Sequence, residues 1–339
     1  MPGMHSGLDL TNAVLVTAFR SALLRQALTA LLVLATLAIL WASLREWRPG
    51  LVRRPAAGTP AAAEPEAAGR RLLRIGFGVL WVFDGILQAQ PAMAAGLPGQ
   101  VMAPAAQSSP AWVQHVVNWA GTAWSFHPVQ AAAASVWIQA GLGIWMLAAA
   151  RGPWSRLAGL ASVGWGLLVW VFGEAFGGIF APGLTVLFGA PGAVLLYCAG
   201  GALVALPDRT WRSAATGRRL LAGLGVFLLA MAVLQAWPGR GFWQGRLHGQ
   251  AGSLAAMISS MAGTQQPGFL GRLVAGFGGL TVRHGFAVNL AAVVILAALG
   301  VGLLAGLRPA SKPTLLRVAV AAAAVFCLAD WLLVEDLGF

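Results

Sequence analysis

An all-α integral membrane protein is predicted, with eight transmembrane helices in two parallel four-helix repeats and outer interfacial helices. Three features of the 339-residue chain predict it. First, 58% of its residues are hydrophobic and only 9% are charged, against about 25% charged in soluble domains. With a mean hydropathy of +0.76, that excludes a secreted domain, a cytosolic enzyme and a disordered binder. Second, the apolar residues form long runs rather than the alternating strands of roughly ten residues that make outer-membrane barrels. Third, the two halves repeat one another.

A span needs about 20 mostly apolar residues. Eight segments qualify in order: Gln26–Leu44, Leu72–Leu87, Pro128–Ala150, Leu157–Phe172, Gly189–Leu206, Leu220–Trp237, Gly285–Leu307 and Leu315–Val334. Residues 1–25 form an outer N-terminal segment, and no cleavable signal is read there because the first apolar run lies late and a basic segment follows it. Residues 45–71 form a linker on the cytoplasmic side, its Pro/Ala/Glu stretch flexible. Repeat 1 covers 26–188 and repeat 2 covers 189–339.

The net charge of +12 reflects topology rather than a nucleic-acid partner. Sixteen of the 22 basic residues fall on one side: seven between Arg45 and Arg74, then Arg151, Arg156, Arg209, Arg212, Arg218, Arg219, Arg308, Lys312 and Arg317. Basic residues near spans stay cytoplasmic. The expected localisation is therefore a bacterial inner membrane, multi-pass, with both termini outside. Cys198 and Cys327 sit in apolar runs and read as small buried residues.

The repeat is visible in short strings. Gly69-Arg70-Arg71-Leu72-Leu73 recurs as Gly217-Arg218-Arg219-Leu220-Leu221, and Leu87-Gln88-Ala89 as Leu234-Gln235-Ala236. His127 follows Pro110 at the spacing by which His284 follows Pro267, while Trp170 and Glu174 match Trp331 and Glu335. An even number of spans per half leaves both halves in the same orientation, as in parallel transporter repeats. The eighth span has no follower matching Gly189–Leu206, and the first span is expected to take that place in the bundle. Between spans, Trp112, Val113, Val116, Val117 and Ala120 line one helical face, as do Phe269, Leu270, Leu273, Val274 and Phe277. This spacing predicts interfacial helices; Trp119, Trp124, Trp237 and Trp243 suit an aromatic belt.

Ionisable residues inside spans are costly and mark functional sites by default. Six candidates for ligand binding or proton handling stand in the outer part of the membrane: Asp84, His127, Glu174, His284, Asp330 and Glu335. Asp330 lies about 7 Å deeper than Glu335 by helical rise. Asp84 and Asp330 break the repeat, since Met231 and Val169 occupy their matching positions. His127, Glu174, His284 and Glu335 are the residues to hold a metal if one is bound, although no H-E-x-x-H or E-x-x-H spacing occurs. Met257 and Met261 read as apolar filler or as a thioether pair. Apart from Gln139 and Ser162, the inner halves of the spans are apolar and rich in Gly and Ala, which permit close helix packing.

The four-span unit, with a long outer loop and an acid in the bundle, resembles the DoxX-like membrane proteins. That resemblance implies a bacterial membrane component linked to quinone-dependent oxidation and carries over no catalytic residue. The strings Phe83–Pro91, Val171–Glu174 and Ala329–Gly338 also resemble those of uncharacterised multi-pass proteins of bacteria with Ala-, Gly- and Arg-rich proteomes. The function expected is an outward-facing polar site binding a small ligand, quinol or partner subunit, with the lipid bilayer as its other partner. A quinone-linked oxidoreductase subunit and a transporter of small solutes or metals are the alternatives.

Overall fold

The computed structural model describes residues 13–47, 65–182, 190–262, 266–309, 312–335 and 337. The described residues are almost entirely helical: α1 (Ala13–Trp47), α2 (Ala68–Gln88), α3 (Pro91–Ala106), α4 (Ala111–Phe126), α5 (Pro128–Ala148), α6 (Gly152–Phe172), α7 (Val194–Ala205), α8 (Ala214–Ala236), α9 (Ser253–Met261), α10 (Gly268–Gly306) and α11 (Pro313–Leu333). A two-residue hairpin pairs β1 (Arg246–Leu247) with β2 (Gln250–Ala251). Proline punctuates the chain: α3, α5 and α11 begin on one, and α6 carries one in its first two positions. At these positions a missing N–H is harmless and the fixed φ suits a helix.

This is an all-α membrane protein. Among the described residues six helices are long and apolar enough to cross a bilayer: α1, α5, α6, α8, α10 and α11. Large apolar side chains from Leu24 to Trp47 on α1 lie exposed, a surface that hydrocarbon accepts and water does not. The eight expected segments all carry helix, with two differences. α2 reaches the apolar threshold only together with α3, across a bend of 77°, because Arg70, Arg71, Arg74 and Asp84 lower its hydropathy. α7 is a shorter apolar helix of 12 residues, about 18 Å by helical rise. Residues 183–189, where its expected span begins, are outside the described residues.

Contacts divide the described residues into two compact units, one built from 13–181 and 192–208 and the other from 182, 190–191 and 209 onward. In the first, α2 packs along α5 and α6 packs along α7. Close backbone approach makes both pairs. A Cβ on Gly143 would fall 2.5 Å from the Gly78 carbonyl oxygen, and one on Gly159 would fall 2.5 Å from that of Gly201. α7, counted with the second repeat by sequence, thus packs within the first unit. α1 also belongs there: residues 13–25, expected as a separate outer segment, continue its helix and bury Phe19 and Ala22 against α3 and α5. Most of the linker expected over 45–71 lies outside the described residues. α1 covers its start, and α2 begins at Ala68.

In the second unit α8 packs along α10, and α11 on the last turns of α10. A Cβ on Gly300 would fall 2.8 Å from the Gly225 carbonyl oxygen. α10 bends at His284, whose φ of −131° and ψ of 37° leave the helical region. The matching break between α4 and α5 falls at His127, with φ −142° and ψ 61°.

Both segments expected to lie in the interface are helical, and their buried stripe faces protein. Val113 and Val117 pack on Met102, Ala106 and Ala175; Leu270 and Val274 pack on Leu254 and Ile258 of α9. Met261 joins that cluster as filler.

Candidate functional site

The first unit gathers its polar groups around the first turn of α7. Asp84, half-buried on α2, lies beside the hydroxyl of Tyr197 and interacts with it; Tyr197 is the chain's single tyrosine. The Tyr197 ring stands edge-on to Trp81 with centroids 5.0 Å apart, and 5.6 Å from Phe77. Trp81 Nε1 donates to Ser162 Oγ of α6 at 3.0 Å. Trp165, one turn along α6, packs into the same cluster, and its indole N–H has no hydrogen-bond partner among the described residues. A buried donor left unpaired costs about 1–3 kcal/mol. The site therefore offers a carboxylate acceptor and a spare donor within an aromatic wall.

Glu174 engages the same turn from the end of α6. Its Oε1 accepts the backbone N–H of Val194 at 3.3 Å, while its buried Oε2 has no hydrogen-bond partner among the described residues. A carboxylate at the positive end of a helix satisfies orphan amides and favours the dipole. Gly192 makes this possible: its φ of +97° suits glycine, and any Cβ there would collide with the Glu174 carboxyl.

The other candidates lie apart from this constellation. His127 is exposed at the break between α4 and α5, and His284 is exposed at the kink of α10. Asp330 and Glu335 are exposed on and just beyond the last turn of α11, near enough to repel one another. Asp84 and Glu174 thus meet on α7 in the first unit, while His284, Asp330 and Glu335 belong to the second. Among the described residues no group of three or more His, Cys, Asp or Glu stands close enough to hold a metal, so His127, Glu174, His284 and Glu335 form no such cluster.

Two groups escaped sequence reasoning. Tyr197 gave a faint signal, as a lone tyrosine in an apolar run. The second group lies at the opposite, Arg-rich end. Arg70 is 1% exposed; its Nη1 donates to Glu66 Oε1 at 2.8 Å and Ala150 O at 3.0 Å, and its Nη2 to Ser155 Oγ at 2.8 Å and Val204 O at 3.1 Å. Arg74 grips both oxygens of Glu66 at 3.0 Å and donates to Met146 O at 2.7 Å. Burial pushes the Glu66 carboxyl up, but the hydrogen bonds and charges of Arg74 and Arg70 outweigh it and hold the group below its usual range. This buried Arg–Glu–Arg set ties the start of α2 to α5, α6 and α7. In the second unit Asn289, fully buried, accepts from Gln235 Nε2 at 2.8 Å.

No family model, curated protein or solved structure matches the chain.

Proposed function

We propose that the chain is an eight-span protein of a bacterial inner membrane that binds a small hydrogen-bonding ligand of the quinol class in the outer half of its first unit, as an accessory membrane component. The observation that carries the reading is the Asp84–Tyr197 pair inside a wall of Phe77, Trp81 and Trp165. A quinol headgroup is flat, apolar on its faces and polar at two opposite oxygens. Its hydroxyl would donate to Asp84, while the unpaired Trp165 indole N–H would serve an oxygen. The DoxX-like resemblance of the span pattern suits the same ligand class.

The two-repeat architecture is part of this proposal. The offset that carries Leu87 onto Leu234 carries Gly78 onto Gly225, and the offset that carries His127 onto His284 carries Gly143 onto Gly300. Both glycine pairs make the same close helix approach, and both histidines sit at a break in helical φ/ψ. The repeat therefore supplies the scaffold, and Asp84, matched by Met231, is the addition that makes the site.

The test is extraction of the gently purified protein and quantification of copurifying quinone by chromatography. The reading expects near-stoichiometric quinone in wild type and its loss in Asp84→Asn. Wild-type protein free of quinone when purified from quinone-replete membranes would count against it. If quinone binds, electron transfer from a quinol-reducing membrane separates an oxidoreductase subunit from a binding component. A transporter instead predicts substrate-dependent labelling of cysteines placed in the inner halves of the spans.

A further inference from the structure

The Arg-rich end of the first unit holds a second constellation, remote in the chain's depth from Asp84. The starts of α2 and α6 and the end of α7 surround a half-open cavity of about 260 Å³, lined by Arg70, Gly152, Pro153, Arg156, Pro207 and Asp208 among others. Arg70 is almost fully buried, yet its Nε has no hydrogen-bond partner. Asp208 Oδ1 stands 3.6 Å from it, and that carboxylate is 47% exposed. Arg156, on the open side, spends its Nε on Ala205 O at 3.1 Å. Gly152 and Pro153, the first two residues of α6, line the cavity, so the positive pole of a 21-residue helix opens onto the same space.

Two guanidinium groups and a helix start attract a phosphate, which guanidinium recognises by geometry as well as charge. Asp208 would repel a bare anion. A ligand carrying a phosphate and an ammonium on one short arm satisfies all four groups. We propose that this cavity seats a phosphoethanolamine group, with its phosphate against Arg156, Arg70 and the start of α6 and its ammonium against Asp208. The volume falls below the about 300–1,000 Å³ of pockets for whole drug-sized ligands and suits a headgroup. The cavity also lies where apolar helices end, which is headgroup depth in a bilayer.

Native mass spectrometry of the full-length protein in detergent, offered phosphatidylethanolamine and phosphatidylglycerol in equal amounts, tests the proposal. Wild type should retain one phosphatidylethanolamine in preference. Arg156→Gln, an exposed change that keeps a donor, should lower retention about tenfold with no loss of melting temperature in lipid-free protein. Asp208→Asn should bind the two lipids equally. Soluble glycerophosphoethanolamine that binds as tightly as the lipid would make the free compound the source of the group; lipid that stays bound against it makes the lipid the source. Equal retention of both lipids by wild type, unchanged in both variants, or a wild-type preference for phosphatidylglycerol, would overturn the assignment.

Discussion

Glu66 shows how one carboxylate can organise a bundle end. It neutralises two arginines that are themselves buried, so its removal leaves uncompensated charge in a low-dielectric setting. Breaking a buried pair from one side costs about 3–5 kcal/mol, and Glu66→Ala should lower stability by that order in thermal melts of the detergent-solubilised protein. The pH dependence follows from the lowered carboxyl. The stabilisation is complete above the ordinary glutamate value of 4.5 and is lost as pH falls through the depressed value. Melting temperature should therefore drop on the acid side of about pH 4.5 in wild type, and Glu66→Gln should flatten that limb; an acid limb unchanged in the variant would remove Glu66 from its cause. Nothing in the sequence flagged this residue, because it sits in a Pro/Ala/Glu stretch whose composition reads as linker. Asp84 was legible for the opposite reason, being the one polar group after Leu80-Trp81-Val82-Phe83. Its partner Tyr197 was not, since a single aromatic in an apolar helix carries no sign of what its hydroxyl meets.

Between helices, glycine decides which elements pair. Gly143 and Gly300 each lie against a facing backbone, whereas a Cβ at Gly141 or Gly223 would meet nothing within 4 Å. Gly143→Ala and Gly300→Ala should each destabilise by about 1–3 kcal/mol through overpacking, while Gly141→Ala and Gly223→Ala should be tolerated; equal melting temperatures for all four would refute the close approach. α7 depends on Glu174 for the Val194 amide that opens its first turn, and Glu174→Ala should cost about 0.5–2 kcal/mol, the range for a lost helix cap. Hydrogen exchange faster at Val194 to Tyr197 than elsewhere in α7 would be its signature, and unaltered exchange would deny the anchor. The stripes of α4 and early α10 were readable from periodicity. The pairing of α6 with α7 was not. α7 is apolar all round, so no period reveals its buried face, and the deciding feature is the meeting of Gly159 with Gly201 from distant parts of the chain.

At the scale of the whole molecule, composition alone made the membrane assignment secure, because 9% charge cannot cover a water-facing surface. Orientation rests on the distribution of arginine. In a cysteine-free background, Ser213→Cys should resist an impermeant maleimide applied to spheroplasts, and His115→Cys should react; the reverse pattern would invert the topology. What linear order could not disclose is how polar residues are shared between the units, since Asp84, Glu174 and Tyr197 converge on one turn while the second-unit candidates stay exposed. The central claim is that this convergence binds a quinol. Calorimetric titration of delipidated, full-length protein with a short-tailed quinol tests it most directly. The account predicts saturable one-site binding, weakened at least about tenfold in Asp84→Asn, as expected for a hydrogen bond to a charged group, and weakened also in Tyr197→Phe. No saturable binding in wild type, or one affinity shared by all three proteins, would contradict it.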